Sequence, residues 1–309
     1  MTRTFALAAA LTLGLTLSAC GGSDSDPLDD SGGDEGGSES EEGGGSGTIT
    51  VGSANFPGNV LLAEIYTAAL EGAGVDVEQR LNIGNRETYI AGLDDGSIDL
   101  IPEYTGALTL FFDSEAEATD PEGVYSTLQE VLPENLTVLE PSDAEDKDAV
   151  VVTQETADEF SLTAIGDLEP VAPDLVLGGP PEWEDREAGV PGLREVYGLE
   201  FSAFRPLAAG SNLTAQSLKN GQVDAANIFT TDPSIIENDF VILEDPESLF
   251  IAQNIVPLIT TEANNETVDA ALNEVSAGLD TESYAALLAR VVVDSEDPSD
   301  VAQEYVDGM

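Results

Sequence analysis

The chain has 309 residues and carries 61 acidic against 9 basic side chains, with no His, so its formal charge is −52 at pH 7. A surface this acidic repels nucleic acid and anionic lipid, which excludes both as expected partners. We interpret the acidity as adaptation of an exported protein to a salty medium and not as a means of attracting cations, because salt screens electrostatic attraction beyond about 10 Å. The single cysteine excludes a disulfide framework and a thiolate metal site.

The N-terminus predicts an export signal followed by a lipid anchor. Residues 1–19 contain Arg3 and an apolar run too short to span a bilayer comfortably, and Cys20 closes the run in "LSAC". This arrangement resembles a bacterial lipoprotein processing site, in which the Cys becomes the lipidated N-terminus. An ordinary signal peptide with an incidental Cys is the alternative. We therefore expect attachment to the outer face of the cytoplasmic membrane.

Residues 20–47 predict a flexible tether between that anchor and a folded domain. Beyond Cys20 they are rich in Gly, Ser and acids and almost free of apolar side chains, so they cannot offset the entropy of ordering. A calcium-binding tract is the less favoured interpretation, because no helices frame the acids.

Strands and helices alternate in the first part of the folded chain. Apolar runs and alternation predict strands at 48–52, 75–81 and 97–101, and helical periodicity predicts helices at 59–74 and 86–95. Strand-helix alternation indicates βαβ units, and hence a mostly parallel sheet with helices on both faces.

The same pattern restarts near Asp148. Strands are predicted at 148–154, 174–179, 222–228, 239–246 and 254–260, and helices at 212–221, 268–279, 282–292 and 299–306. We interpret this as two α/β lobes, the first interrupted by the second. Lobe 1 comprises 48–147 and returns at 254–309, lobe 2 comprises 148–253, and a cleft lies between them.

Two segments repeat one spacing, "SIDLIPEYTG" (97–106) and "QVDAANIFTT" (222–231). In each, an Asp is followed five residues later by an aromatic residue and then Thr. The repeated residues are Asp99, Tyr104 and Thr105 in the first segment, and Asp224, Phe229 and Thr230 in the second. Because ligands of open α/β sheets bind outside the carboxyl ends of strands, we expect the two aromatic residues on facing walls of one cleft. A common helix-to-strand connection explains about half of the match. Gly106 is expected to let backbone approach the ligand in a loop after the strand.

Six blocks of sequence, in order, resemble the extracytoplasmic solute-binding proteins of ABC transporters for glycine betaine, choline and related quaternary amines. The blocks are 52–66, 83–108, 143–153, 177–201, 223–233 and 250–260. The likeness is closest to the osmoprotectant-binding branch. It implies an α/β fold of the type II periplasmic-binding-protein kind with two crossing strands. It also implies a monomer that delivers its ligand to a permease with an ATPase.

The resemblance implies a cage of aromatic rings, because a methylated ammonium donates no hydrogen bonds and relies on cation–π attraction, about 0.5–2 kcal/mol per ring. Tyr104 keeps a cage position, and Phe229 stands where the family has Tyr. Arg186 matches the Arg that reaches a betaine carboxylate, with a structural salt bridge as its alternative. Further candidate binding residues, carried by the same blocks, are Asn59, Thr105, Thr230, Thr231 and Asp232.

Two other cage positions depart from the family pattern, with Asp148 and Gln253 where many members have Tyr. The departures predict a weaker hold on trimethylammonium, or a ligand with its own hydrogen-bond donors. Asp148 pairs with a cationic head in one interpretation and is a solvated hinge residue beside Lys147 in the other. Trp183, the only Trp, is favoured as a core or surface anchor over a cage wall.

An enzyme is the main alternative from a different class, for example a hydrolase using Glu103 and Asp232. The chain has no His and one Cys, and its folded part has no Gly-rich phosphate loop. It therefore lacks the residues that a base-activated nucleophile or a phosphate-binding site would need. We therefore expect no catalytic residue, metal or cofactor, and Glu103 to support its own loop. Two other interpretations stay open. One is a protein of this fold that binds another cationic or zwitterionic solute, and the other is a protein that passes its bound solute to a sensor and not to a transporter.

Overall fold

Two five-stranded sheets organise residues 47–309, the part of the chain that the structure, a computed structural model, describes. The predicted export signal, Cys20 and the tether up to residue 46 lie outside the described residues. Among the described residues, no helix combines the length and apolar character that crossing a membrane requires.

Ten short strands form the sheets. They are β1 (Ile49–Gly52), β2 (Val77–Arg80), β3 (Leu100–Tyr104), β4 (Leu136–Val138), β5 (Val150–Thr153), β6 (Val176–Gly179), β7 (Ala203–Pro206), β8 (Ala225–Asn227), β9 (Phe240–Ile242) and β10 (Ile255–Thr260). The first sheet has the order β2-β1-β3-β10-β4 and the second the order β7-β6-β8-β5-β9. We call the first sheet with its helices lobe 1 and the second lobe 2.

Helices cover the faces of both sheets. They are α1 (Pro57–Gly72), α2 (Arg86–Asp94), α3 (Thr105–Phe112), α4 (Pro121–Val131), α5 (Gln154–Phe160), α6 (Val190–Tyr197), α7 (Asn212–Lys219), α8 (Ser234–Glu237), α9 (Glu266–Gly278), α10 (Thr281–Val292) and α11 (Pro298–Asp307). Three-residue to four-residue 3-10 turns occupy Ile165–Leu168, Ala172–Asp174 and Pro181–Glu184. Asp or Asn side chains cap the amino ends of α4, α9, α10 and α11, which satisfies backbone N–H groups that have no partner in the helix.

Each sheet is mixed: four of its five strands run in one direction, so the prediction of mostly parallel sheets is confirmed, and one strand runs opposite to them. β1 pairs in parallel with β2 and β3, whereas β10 runs antiparallel to β3 and β4. Lobe 2 repeats this, with β6 parallel to β7 and β8, and β5 antiparallel to β8 and β9. The reason is the chain path: β5 and β10 each enter their sheet directly from the cleft, where the neighbouring strands β8 and β3 end.

The repeated aspartates have the same structural role in both lobes. The Asp99 carboxylate accepts a hydrogen bond of 2.8 Å from the Thr50 amide in β1, and Asp224 accepts one of 2.8 Å from the Val176 amide in β6. The glycine three residues before each aspartate has positive φ, 73° at Gly96 and 64° at Gly221. The left-handed backbone favours glycine there. The Gly and Asp of the sequence repeat thus belong to a helix-to-strand connection that both lobes share.

Apolar side chains are buried on both faces of each sheet. In lobe 1, Leu61, Leu100 and Ile259 belong to one fully buried cluster, and α1 lies within it. Ile101 and Leu258, on the adjacent strand positions, belong to the cluster on the other face. Alternate residues of one strand therefore pack against different helices, as a sheet covered on both faces requires.

The segment after β3 is helical, whereas the sequence predicted a loop there. Tyr104 is extended, with φ −126° and ψ 120°, and α3 begins at the next residue. Gly106 lies inside this helix, and a Cβ on it would collide with the carbonyl oxygen of Ala252. The expectation that Gly106 admits a ligand was wrong: the close approach is to the chain that returns from lobe 2 to lobe 1.

Candidate ligand-binding site

A cavity of about 60 Å³ lies between the lobes, at the carboxyl ends of β1, β3 and β6. Five aromatic side chains contribute to its lining, Phe56, Tyr89, Tyr104, Trp183 and Phe229. Five charged side chains also line it, Arg86, Asp146, Asp148, Glu182 and Arg186. The cleft therefore combines rings with ionised groups, and both lobes contribute to each set.

Phe56 joins the aromatic residues of the two lobes. Its ring centroid lies 6.2 Å from that of Tyr104, in a stacked arrangement, and 5.3 Å from that of Phe229. Tyr104 and Phe229 were predicted to face each other, and the structure places Phe56 against both. Sequence reasoning missed Phe56. Its available signal was its position between the end of β1 and the first residue of α1, where ligands of such sheets bind.

Tyr104 contributes to the lining while its hydroxyl lies in the interior of lobe 1. The side chain is buried, and the hydroxyl has Asn59 and Tyr284 as polar neighbours without a hydrogen bond of good geometry. Burial raises the pKa of Tyr104 well above its ordinary value. The hydroxyl therefore stays protonated, and the ring is the part of Tyr104 that a ligand can use.

Arg86 and Glu103 form a closed ion pair behind the aromatic residues. The guanidinium Nε and Nη2 atoms donate to the two carboxylate oxygens at 2.7 and 2.8 Å, and the Tyr89 hydroxyl donates at 2.7 Å. Burial disfavours a charged guanidinium, but the Glu103 carboxylate outweighs this and raises the pKa of Arg86. Glu103 also accepts from the Tyr104 amide at 2.9 Å, so it supports the end of β3 as expected. Sequence reasoning missed Arg86 and Tyr89.

Two carboxylates occupy the segment that crosses from lobe 1 to lobe 2. Asp146 is 3% exposed and accepts a 2.6 Å hydrogen bond from the Thr231 hydroxyl. Asp148 accepts from Asn227 at 2.8 Å and from Gln253 at 3.3 Å. Desolvation by burial raises the pKa of Asp146 to about 7 and also raises the pKa of Asp148. Asp148 and Gln253, the two residues predicted to depart from the family pattern, thus bond to each other.

Arg186 reaches across the cleft to lobe 1. Its Nη2 atom lies 3.3 Å from both Glu87 carboxylate oxygens, at the start of α2, and 3.9 Å from Glu182. The neighbouring Trp183 is 2% exposed and stacks on Phe250, with ring centroids 5.8 Å apart. Trp183 is thus both a core anchor of lobe 2 and part of the cavity lining.

The Thr of each repeated motif binds a crossing segment. Thr105 donates its amide to the Asn254 carbonyl at 2.9 Å, and its hydroxyl accepts from the Asn254 amide at 3.0 Å. Thr230 donates its amide to the Lys147 carbonyl, and its hydroxyl accepts from the Lys147 amide at 3.0 Å. The aromatic-Thr step therefore repeats because both lobes hold the chain where it crosses between them.

Three further predicted residues, Asn59, Thr231 and Asp232, lie outside the cavity lining, as do the two Thr residues above. Asn59 accepts from the Ala54 amide and donates to the Pro102 carbonyl, so it joins the ends of β1 and β3. Asp232 accepts from the Ser234 amide at the start of α8. These side chains shape the cleft walls. Among the predicted binding residues, Tyr104, Phe229, Arg186, Asp148 and Gln253 line the cavity itself.

A second cavity of about 180 Å³ adjoins the first. Arg86, Asp148 and Arg186 line both cavities, and the second extends along α3 to Leu110 and Phe111. Between residues 47 and 309, no three His, Cys, Asp or Glu side chains are arranged to hold a metal ion.

Residues 47–308 match the family model for the substrate-binding domain of the ABC-type glycine betaine transport system. The chain belongs to this family. It is 25% identical over 273 residues to a glycine-betaine-binding protein of Pseudomonas aeruginosa, covering 84% of this chain and 87% of that protein. The glycine betaine-binding protein YehZ of Escherichia coli is 25% identical, with coverage of 84% and 89%. The carnitine transport binding protein OpuCC of Listeria monocytogenes is also 25% identical, with coverage of 84% and 86%.

Solved structures give the same fold. A glycine betaine/carnitine/choline ABC transporter structure has a TM-score of 0.65 at 21% identity and covers 84% of this chain and 98% of its own. Lactococcal OpuAC, closed on glycine betaine, has a TM-score of 0.59 at 14% identity, with coverage of 84% and 95%. The predicted type II periplasmic-binding-protein fold and the resemblance to the quaternary amine family are confirmed. Members of the family are substrate-binding components of transporters.

Proposed function

We propose that this protein is the substrate-binding component of an ABC importer for osmoprotectants, and that it binds glycine betaine or a related quaternary amine or zwitterion in the cleft. One observation carries the proposal: Phe56 of lobe 1 and Phe229 of lobe 2 come within 5.3 Å beside buried carboxylates. Aromatic rings near carboxylates favour an ammonium ligand. Because the rings come from both lobes, a ligand that contacts all of them binds as the two lobes close on it.

The hydrogen bonds of Glu103 and Asp232, the two acids considered for catalysis, support a non-catalytic role. Glu103 is fully buried and bonded to Arg86 and Tyr89, and Asp232 binds backbone outside the cavity. Neither carboxylate is placed to attack a bound solute or to exchange a proton with it. The protein then acts by capturing its ligand and presenting it, as a monomer, to a permease with an ATPase.

The ligand-binding proposal is tested through Trp183, the only Trp of the chain. Because Trp183 lines the cavity, we expect its fluorescence to change saturably with at least one of glycine betaine, choline, carnitine, ectoine and arginine. Phe56→Ala should weaken that binding tenfold or more. Phe160→Ala, in α5 and 37% exposed, is the matched control and should leave it unchanged. Calorimetry that detects none of the five ligands would contradict the proposal.

The membrane attachment has its own test. We propose that Cys20 carries lipid and that the Gly, Ser and acid-rich segment after it links the anchor to the lobes. In a bacterial host, Cys20→Ser should move the protein from the membrane fraction to the soluble fraction. Mass spectrometry should show the lipid on the wild-type N-terminal peptide. An unchanged membrane fraction in the variant would contradict the anchor.

A further inference from the structure

The two arginines at the cavity already have carboxylate partners. Arg86 makes two hydrogen bonds to Glu103, at 2.7 and 2.8 Å. Arg186 lies 3.3 Å from Glu87, with Glu182 at 3.9 Å. A ligand carboxylate would therefore have to compete with an existing partner for either guanidinium.

The two carboxylates of the crossing segment have only neutral partners. A hydroxyl donates to Asp146, and two side-chain amides donate to Asp148. Among residues 47–309, no Lys or Arg forms an ion pair with either carboxylate. Lys147 lies between them in the chain but is absent from the cavity lining, since alternate residues of an extended segment point to opposite sides. Asp146 and Asp148 thus present two acids to one cavity.

The charges around the cavity do not balance. The two arginines contribute two positive charges, whereas Glu87, Glu103, Glu182 and Asp148 contribute four negative ones, and Asp146, whose pKa is about 7, adds a fifth when it ionises. Burying a carboxylate is costly, and the raised pKa values of Asp146 and Asp148 reflect this cost, which Arg186 and Arg86 offset only in part at Asp148. A bound cation would relieve it, whereas the carboxylate of a zwitterion would add to the negative charge.

Carboxylates also distinguish between kinds of ammonium. An N–H group can donate a short, charge-assisted hydrogen bond to a carboxylate, and a quaternary nitrogen cannot. A site made only of rings would treat the two similarly. Carboxylates in place of aromatic rings therefore favour an ammonium group whose nitrogen carries a hydrogen.

We propose that the cleft selects a small organic cation whose charged nitrogen carries N–H, bound by Asp146 and Asp148 and covered by Phe56, Phe229 and Trp183. The inference rests on the proposed function, because it concerns the ligand of the same cleft. It keeps the transport role and the cleft, and it ranks an N–H cation without a carboxylate above the quaternary amines and zwitterions that the cleft also binds.

Four matched compounds test the selection by calorimetry at pH 7.5. Choline and N,N-dimethylethanolamine are cations that differ by one methyl group on nitrogen, and glycine betaine and dimethylglycine are the corresponding zwitterions. We expect protonated dimethylethanolamine to bind at least tenfold more tightly than choline, and both cations more tightly than either zwitterion.

Asp148→Asn locates the origin of the preference. It should reduce the advantage of dimethylethanolamine over choline to less than threefold. Asp158→Asn removes one charge from the exposed face of α5 and should leave the advantage unchanged. Circular dichroism melts verify that both variants fold. If Asp148→Asn does not fold, the comparison of the four compounds on the wild-type protein still tests the proposal.

The outcomes separate the two proposals. If glycine betaine binds most tightly, the cation inference is overturned and the proposed function stands. If choline equals or exceeds dimethylethanolamine, the N–H selection is overturned. If none of the four binds and the five-compound panel is also silent, both proposals are overturned.

Discussion

Glu103 in lobe 1 and Ile228 in lobe 2 stand four residues after equivalent aspartates, Asp99 and Asp224, at the carboxyl ends of the equivalent strands β3 and β8. Glu103 is ion-paired and fully buried, whereas Ile228 is 3% exposed in an apolar cluster. One residue later, Tyr104 buries its hydroxyl in lobe 1 and Phe229 packs on Phe56 in the cleft. One scaffold thus supports a polar wall and an apolar wall. The shared strand order therefore fixes the position of a side chain, whereas its residue type decides whether it forms an ion pair, packs in the core or lines the cleft.

The largest expected effect concerns the buried ion pair that lobe 2 lacks. Glu103→Gln should lower the free energy of unfolding by about 3–5 kcal/mol, because it leaves the Arg86 guanidinium buried without a counter-charge. Urea denaturation measures this. Glu304→Gln removes an exposed partner of Arg290 and should cost no more than about 1 kcal/mol. Equal losses in the two variants would show that the pair adds nothing specific to lobe 1.

The second prediction uses Asp146, where the crossing segment meets lobe 2. Its pKa is raised to about 7 from 3.8, so between these values the folded protein holds a proton that the unfolded chain releases. The free energy of unfolding should therefore fall as pH rises from about 4 to 7, by at most about 1.4 kcal/mol per pH unit from this group. Nearby Asp148 and Asp232 act in the same direction by repulsion.

Asp146→Asn isolates that contribution. Urea denaturation at pH 5, 6, 7 and 8 should show wild type losing stability relative to the variant up to about pH 7, with a constant difference above it. Parallel curves across the whole range would mean that Asp146 ionises in the folded state as it does in the unfolded chain.

The third prediction sets Phe229 against Tyr104. Phe229→Ala should weaken ligand binding about tenfold, consistent with loss of one ring contact. Tyr104→Phe should change affinity less than threefold, because the hydroxyl lies in the lobe interior and not in the cleft. Calorimetry with the best ligand of the panel checks both. A tenfold loss in Tyr104→Phe would place the hydroxyl in ligand contact and remove the difference between the lobes.

The smallest expected effect concerns the contact between the lobes at Arg186. Glu87→Gln should change the free energy of unfolding by less than about 1 kcal/mol, since both side chains are partly exposed, at 30% and 46%. Small-angle scattering should show a larger radius of gyration for the ligand-free variant if the pair helps to hold the lobes together. An identical radius at low and high salt would show that it does not.

Most of the fold was predictable because its periodic signals are local. The helices near 59–74 and 268–279 and the strands near 97–101 and 254–260 follow from apolar spacing and from Gly at positive φ. The antiparallel placement of β5 and β10 was not predictable from that spacing, because strand direction depends on where the chain returns from the other lobe.

The sequence by itself determined the lobes, the equivalence of Asp99 with Asp224 and the family, since these depend on short-range patterns and on blocks in order. Only the tertiary structure decided which predicted residues line the cavity. Phe56, Arg86 and Asp146 reach it from separate parts of the chain, while Asn59, Thr105 and Thr230 bind backbone instead. The physical reason is that tertiary contacts decide which side chains face the cavity, and a partner more than a hundred residues away, as Asn254 is from Thr105, is invisible to spacing along the chain.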